Sequence, residues 1–424
     1  MMKNSLASRA DFHSWLPSIP TIIPHRVRRK LRSKIRSRQS PATSLASLET
    51  SLSPADTLRS LRAHRWSFYD GQYLILIILG IFSLSIIASP GPIFKTTVAT
   101  LLLISLLLPV TRQFFLPFLP IITWLVWFYA CGFIPSDWRF PVWVRVLPAL
   151  ENILYGANIS NILSAHQNTF LDVMAWLPYG IIHFGGPVVF SMIMFVFASP
   201  GTVPVFARSY GYMNLVGVSI QLLFPCSAPW YENMYGLAPA NYTIKGSPAG
   251  LARIDKLFGI ALYTPSFTGS PMVFGAFPSL HAGSAVMEAL FMSHVFPRMR
   301  PFFVFYAMWL WWATMYLSHH YVVDLVGGSI LAGIVFYVSK TKFLPRTQSG
   351  KMFRWDYDYK EVGEDPAEQG YALADFGHGP HDADDWTIGS SSSISSGSIS
   401  PIEDSNSNWE GETLASHSDN EAKR

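Results

Sequence analysis

Two short polar motifs stand at the ends of apolar stretches: Phe277-Pro278-Ser279-Leu280-His281 and Ser318-His319-His320-Tyr321-Val322-Val323-Asp324. Ionisable groups at the mouths of membrane segments are costly unless they carry function. His320 and Asp324 are four apart, so a helix starting at 320 puts them on one face of its first turn. The carboxylate then takes a hydrogen bond from one imidazole nitrogen. The other nitrogen stays free and more basic, as a nucleophile requires. His281 follows Pro278 and Ser279, helix-start residues whose neighbouring amides favour an anion. With one histidine attacking phosphorus and the other protonating the leaving oxygen, the set suits transfer of a phosphate group at a membrane surface. A His–Asp pair that only braces two helices is the bland alternative.

The surrounding elements must be membrane helices. The chain of 424 residues is 50% hydrophobic and only 14% charged, well below the ~25% charged usual for soluble domains. Apolar runs predict eight spans near 72–89, 95–111, 114–133, 177–198, 210–226, 277–296, 302–318 and 320–338. The expected fold is an all-α polytopic membrane bundle of six to eight spans. Gly185-Gly186-Pro187 suggests a kink in the fourth. The hairpin formed by 277–296 and 302–318 returns the chain to one membrane face, so His281 and His320 can meet.

Charge sets orientation. Eight basic residues and no acid lie between Arg26 and Arg38, and further basic residues are Arg298, Arg300, Lys340, Lys342 and Arg346. Eight spans put all three clusters on the cytoplasmic side, with the histidines and Asp324 on the lumenal face. The N-terminal run is therefore read as a topology signal, not a nucleic-acid site. Loops at about 134–176 and 227–276 become lumenal and carry the sequons at Asn158 and Asn241. Residues 1–70 form a basic, partly disordered cytoplasmic region, 71–344 the transmembrane catalytic domain, and 345–424 an acidic, disordered cytoplasmic tail. Cys131 and Cys226 exclude a disulfide scaffold and a cysteine-based zinc site; one disulfide between them, or two free thiols, both fit.

Pro-Ser-x-His followed one hairpin later by His-x-x-x-Asp resembles the type 2 phosphatidic acid phosphatase superfamily. Longer strings resemble the catalytic subunit of fungal inositol phosphorylceramide synthase, the aureobasidin A resistance protein family. They are 274–283, 316–328, 246–255, Gly211-Tyr212-Met213-Asn214-Leu215 and Pro229-Trp230-Tyr231-Glu232. The likeness covers roughly residues 70–345. It implies transfer of phosphoinositol from phosphatidylinositol to the primary hydroxyl of ceramide, with diacylglycerol released. His320 is the implied nucleophile, Asp324 its orienting group, and His281 the acid and then base. No cofactor and no metal are implied. The resemblance also implies a Golgi location, a lumenal site, a small regulatory membrane subunit and sensitivity to aureobasidin A.

Leu280 replaces the glycine usual between serine and histidine in the wider superfamily, and Thr314 replaces an expected arginine. The first superfamily motif is also missing: Lys245 and Arg253 are eight apart, and Ile254 follows where proline belongs. Phosphate neutralisation then falls to Lys245, Arg253 and Lys256, with Ser279 as a further phosphate-binding candidate. His319 points about 100° from His320 on a helix and is not assigned as nucleophile. Glu288 lies about 10 Å deeper than His281 on the same face, either as a structural carboxylate or as support to the site. His294 falls at the far end. Residue types alone leave four alternatives open: another lipid phosphatase, a phosphatidylcholine:ceramide phosphotransferase, a two-His-one-carboxylate metal site and a lipid-binding scaffold.

Overall fold

The computed structural model describes residues 48–64, 66, 68–345, 347, 348, 350–357, 359–362 and 370–373. The basic run at 26–38 and most of the acidic tail lie outside the described residues. Helices α1 (Pro54–Ala63), α2 (Gly71–Ile86), α3 (Pro92–Leu107) and α4 (Pro109–Cys131) come first. Proline opens α1, α3 and α4, at the position where its missing N–H is not needed. The break at Leu108 ends α3 earlier than the apolar run predicted and starts α4 earlier.

The segment expected as a long lumenal loop holds three short helices, α5 (Val146–Tyr155), α6 (Ile159–Ala165) and α7 (Thr169–Trp176). A π-helical turn, Leu177–Ile182, then joins α7 to α8 (His183–Phe197). The irregularity precedes the Gly-Gly-Pro triplet, and Pro187 lies inside α8. Next come α9 (Thr202–Leu223), α10 (Pro229–Tyr235), α11 (Leu251–Phe258) and α12 (Tyr263–Thr268). The hairpin α13 (Leu280–Val295) and α14 (Arg300–Tyr316) precedes α15 (Val322–Lys342). A two-stranded antiparallel pair, β1 (Tyr359–Val362) and β2 (Gly370–Leu373), is the one sheet among the described residues. Arg354 is buried over the Phe195 ring at 4.5 Å, so residues just beyond α15 pack back onto α8.

Among the described residues, four stretches are long and apolar enough to cross a membrane by length and composition: Phe68–Ile86, Pro109–Cys131, Thr169–Phe197 and Val322–Lys342. Leu74, Ile75, Ile78 and Ile81 on α2 and Ile93 and Leu101 on α3 are exposed. Apolar side chains on outward helix faces suit a lipid surround. The core instead gathers around α9, α13, α14 and α15, through Tyr210, Met213, Ala285, Phe291, Tyr306 and Leu310.

Small residues let the site helices touch. A Cβ on Gly211 would stand 2.6 Å from the Pro120 carbonyl carbon, so α9 lies directly on α4. A Cβ on Gly328 would collide with the Ser279 carbonyl oxygen, backbone against backbone. Gly328→Ala must therefore push α15 off the start of α13. We expect it to cost roughly 1–3 kcal/mol of stability and to misplace His281 against His320. Thermal unfolding in detergent, read beside activity, checks this; an unshifted midpoint with full activity would refute it.

Candidate active site

Ser279 starts α13 as its N-cap, its hydroxyl accepting from the Ala282 amide at 3.2 Å. Its own amide donates to the Asp324 carbonyl at 2.9 Å, which ties α13 to α15 beside the motif histidines. The expectation of a helix-start residue before His281 is met. As a phosphate ligand Ser279 is less free, because its hydroxyl is buried and engaged.

His320 departs from the sequence expectation. It precedes α15 and lies in the loop 317–321, where Ser318 adopts a φ of 59°. The loop is held by the His319 amide on the Thr314 carbonyl and by the Trp230 amide on the Ser318 carbonyl, both at 2.9 Å. The i,i+4 pairing survives. His320 Nδ1 donates to Asp324 Oδ2 at 2.7 Å, since a carboxylate only accepts. This fixes the tautomer and leaves Nε2 with its lone pair. His281 Nδ1 stands 3.0 Å from that Nε2 and donates to it. Three residues from two separate motifs thus form one line: Asp324, His320, His281. Burial pushes the His320 imidazole down, which favours the neutral ring that attack requires.

His319 is consumed by structure. Its Nε2 donates to the Pro248 carbonyl at 3.1 Å, and Nδ1 accepts from the Tyr179 hydroxyl at 3.2 Å. Both ring nitrogens are engaged, so what sets His319 apart from His320 is this double engagement rather than a helical angle.

Sequence reasoning missed several supporting groups. The rings of Tyr179 and His183 lie 4.7 and 4.6 Å from that of His281. Both come from the π turn and the start of α8, and the rule flagging ionisable residues within apolar spans points to His183. Glu151 of α5 accepts from the Val322 and Val323 amides, both at 3.2 Å. A protein carboxylate therefore occupies the amides at the start of α15. Glu232 accepts from the Tyr321 hydroxyl at 2.8 Å and from Asn158 Nδ2 at 2.9 Å, so the first sequon's amide is already engaged.

The basic candidates divide. Arg253 binds buried Asp172 through Nη2 at 2.7 Å and through Nε to both carboxylate oxygens at 3.0 Å. It joins α11 to α7 below the histidine loop, and Gly250 donates its amide to the Leu317 carbonyl beside it. Lys245 and Lys256 are exposed, and no contact among the described residues ties either to the histidines. Asp255, in the same string, accepts from the Tyr263 and Thr264 amides at 3.1 and 2.7 Å. Burial alone would raise its carboxyl; the Thr264 and Tyr263 donors outweigh it and hold the group below its ordinary value.

The departures at Leu280 and Thr314 have local accommodations. Leu280 packs where a Cβ on Gly217 would collide with its side chain, so the extra bulk is absorbed by a glycine on α9. Thr314 is fully buried, and its contribution is the carbonyl that holds the His319 amide. Glu288 is buried beneath the site and accepts from the Tyr306 hydroxyl at 2.9 Å. Cys131 and Cys226 are both buried and free; no disulfide joins them.

The PAP2 superfamily profile matches residues 142–338, which contain the whole histidine–aspartate line. The inositol phosphorylceramide synthase catalytic subunit of Schizosaccharomyces pombe is 56% identical over 322 residues, 76% of each chain. The corresponding Saccharomyces cerevisiae catalytic subunit is 47% identical, over 76% of this chain and 80% of its own. Inositol phosphorylceramide synthase of Candida albicans is 44% identical, over 79% of this chain and 72% of its own. At these identities and this coverage, the chain belongs to the fungal inositol phosphorylceramide synthase catalytic subunit family, built on a PAP2 superfamily domain.

Proposed function

We propose that this chain is a phosphotransferase of sphingolipid synthesis. It moves phosphoinositol from phosphatidylinositol to the primary hydroxyl of ceramide and releases diacylglycerol. The observation that carries the mechanism is the line Asp324–His320–His281, with contacts of 2.7 and 3.0 Å. His320 Nε2 attacks phosphorus, and the bond from phosphorus to the diacylglycerol oxygen breaks. His281, entering this step as the imidazolium, gives its Nδ1 proton to that oxygen and is left neutral. His281 then takes the proton of the ceramide hydroxyl, whose oxygen attacks the phospho-histidine. The P–N bond breaks and His320 returns to its neutral form. Asp324 holds the Nδ1 proton throughout and stabilises the charge that the ring acquires.

The 3.0 Å contact between His281 Nδ1 and His320 Nε2 supports this pairing of acid and nucleophile. A bound phosphoryl group parts the two nitrogens and sits between them. Water must stay out during the intermediate, because its attack would turn transfer into hydrolysis.

We read the protein as a multi-pass Golgi enzyme with a lumenal site and cytoplasmic termini. The basic residues Arg298 and Arg300 precede or start α14, and Lys340 and Lys342 end α15, at the opposite helix ends from the histidines. A small regulatory membrane subunit and sensitivity to aureobasidin A belong to the same reading. Lys245 and Lys256 remain candidates for gripping inositol phosphate from the loop.

The test is a transfer assay on purified protein in mixed micelles with chelator present, supplying phosphatidylinositol and a fluorescent ceramide. Inositol phosphorylceramide and diacylglycerol should appear in equal amounts. Product from phosphatidylcholine and none from phosphatidylinositol would overturn the donor assignment; activity restored only by a divalent ion would overturn the mechanism.

A further inference from the structure

His320 has Asp324 to hold its ring, and His281 has no such carboxylate among the described residues. Its side-chain hydrogen bond there is the 3.0 Å contact of Nδ1 with His320 Nε2. A phosphoryl group that enters between the two nitrogens breaks that contact, so the acid needs another hold while it works.

Two rings stand ready to supply it. Tyr179 of the π turn and His183 at the start of α8 have centroids 4.7 and 4.6 Å from that of His281. Their own planes are only 14° apart, with centroids separated by 6.4 Å, so they flank His281 from two directions. The Tyr179 ring is itself fixed. Its hydroxyl donates to His319 Nδ1 at 3.2 Å, and His319 Nε2 donates to the Pro248 carbonyl at 3.1 Å. The π turn that presents both rings is packed tightly at Gly180, where a Cβ would collide with the Trp176 ring. Nδ1 of His183 has no partner, so this residue offers His281 a ring face rather than that nitrogen.

We propose that Tyr179 and His183 are positioning residues for the acid–base histidine, an aromatic clamp that aims His281 Nδ1 and steadies its imidazolium. The clamp deepens the phosphoinositol-transfer reading and rests on it. Charging a ring inside the bundle is costly, and the face of a tyrosine within about 6 Å favours a cation. His281 must give up a proton in the first half-reaction and take one in the second. A carboxylate bonded to it would hold it charged through both. Ring faces favour the cation more weakly and let it cycle. The clamp also gives His319 a task, as the tether between Pro248 and Tyr179.

The test reads diacylglycerol release against pH, with the full chain in mixed micelles, phosphatidylinositol and ceramide. Release needs His281 charged, so the rate falls as pH rises through the pKa of that ring. The titratable groups facing it are His320 and His319 of the histidine loop, Tyr179 and His183, and Asp324 stands behind His320. Losing a face that favours the cation lowers that pKa. Tyr179→Leu should therefore move the alkaline limb down by about half to one pH unit. Loss of aim should also lower transfer about 10- to 100-fold. With a nitrophenyl ester of inositol phosphate, whose leaving group needs no proton, the same variant should form the phospho-enzyme within about threefold of the wild-type rate. Tyr179→Phe keeps the ring and drops only the bond to His319, so its alkaline limb should return to the wild-type pH. Equal losses with both donors, or an alkaline limb unmoved in Tyr179→Leu, would overturn the proposal. If Tyr179→Leu does not fold, His183→Leu and His183→Phe carry the same test. The limb should move down with leucine and not with phenylalanine, and an equal displacement in both would overturn the clamp. Wild type that releases no diacylglycerol from phosphatidylinositol is a separate result: it would sink the transfer reading and the clamp with it, whereas failure of the clamp alone leaves wild-type release intact.

Discussion

His320→Ala should abolish both half-reactions, with diacylglycerol release and ceramide transfer each falling by at least ~10⁴-fold. His281 cannot substitute, because its Nδ1 is the donor in the 3.0 Å contact and no carboxylate is bonded to it among the described residues. Alanine also strips Asp324 Oδ2 of its 2.7 Å donor, and Oδ1 has no partner to begin with. Removing one member of a buried pair typically costs about 3–5 kcal/mol, so the single variant should also melt early. His320→Ala combined with Asp324→Asn removes the uncompensated carboxylate. We expect the pair of changes to recover much of the stability and none of the activity. That non-additivity separates the nucleophile from a structural His–Asp brace. A double variant that regains transfer would show that phosphorus is attacked by some other group. Donor carrying labelled phosphate, quenched in alkali and followed on a gel, gives a second reading: wild type should hold the label and His320→Ala should not.

His281→Ala should lower transfer by about 10²–10⁴-fold, the usual worth of a positioned proton donor. The loss should depend on the leaving group. A diacylglycerol alkoxide needs the proton that Nδ1 carries, whereas a nitrophenolate leaves without one. With a nitrophenyl ester of inositol phosphate as donor, the variant should form the phospho-enzyme at close to the wild-type rate. It should then stall before ceramide, whose hydroxyl still needs a base. An equal loss with both donors would point instead to misplacement of His320. Misplacement is the rival to test, because Tyr179 and His183 both pack their rings on His281 and alanine would leave a gap beneath the loop. His281→Gln fills much of that gap without the acid chemistry, and should lose the lipid reaction as alanine does.

The elements of the site that were legible in the sequence are those set by near neighbours. Pro278 and Ser279 begin a helix because a hydroxyl can cap an amide three residues on, and Ser279 does cap Ala282. The hairpin that returns the chain follows from apolar run lengths and the basic turn at Arg298 and Arg300. Four-residue spacing suffices to pair His320 with Asp324 whether or not His320 is itself helical, which is why that pairing was predicted and the helix start was not. The family likeness was legible for a similar reason: short strings carry the capping, packing and chemical residues together.

Tertiary structure decided what those motifs lean on. The helix begins at Val322 because Glu151, 171 residues earlier, takes its first amides. Arg253 is bound by Asp172, 81 residues away, a partner that its own neighbourhood in the sequence does not indicate. The leucine at 280 fits because α9 offers Gly217, and His183 reaches His281 because a π turn sets the register of α8. Each of these depends on a charge or a volume supplied by a distant segment, and no local spacing encodes which segment will arrive. By itself, the sequence determined the His320–Asp324 pairing, the helix start before His281 and the membrane-bundle class, because capping, i,i+4 geometry and hydrophobic run length act within a few turns of chain. Burial, partner charges and helix approach decided which groups are free to react, because those are set only when the bundle closes.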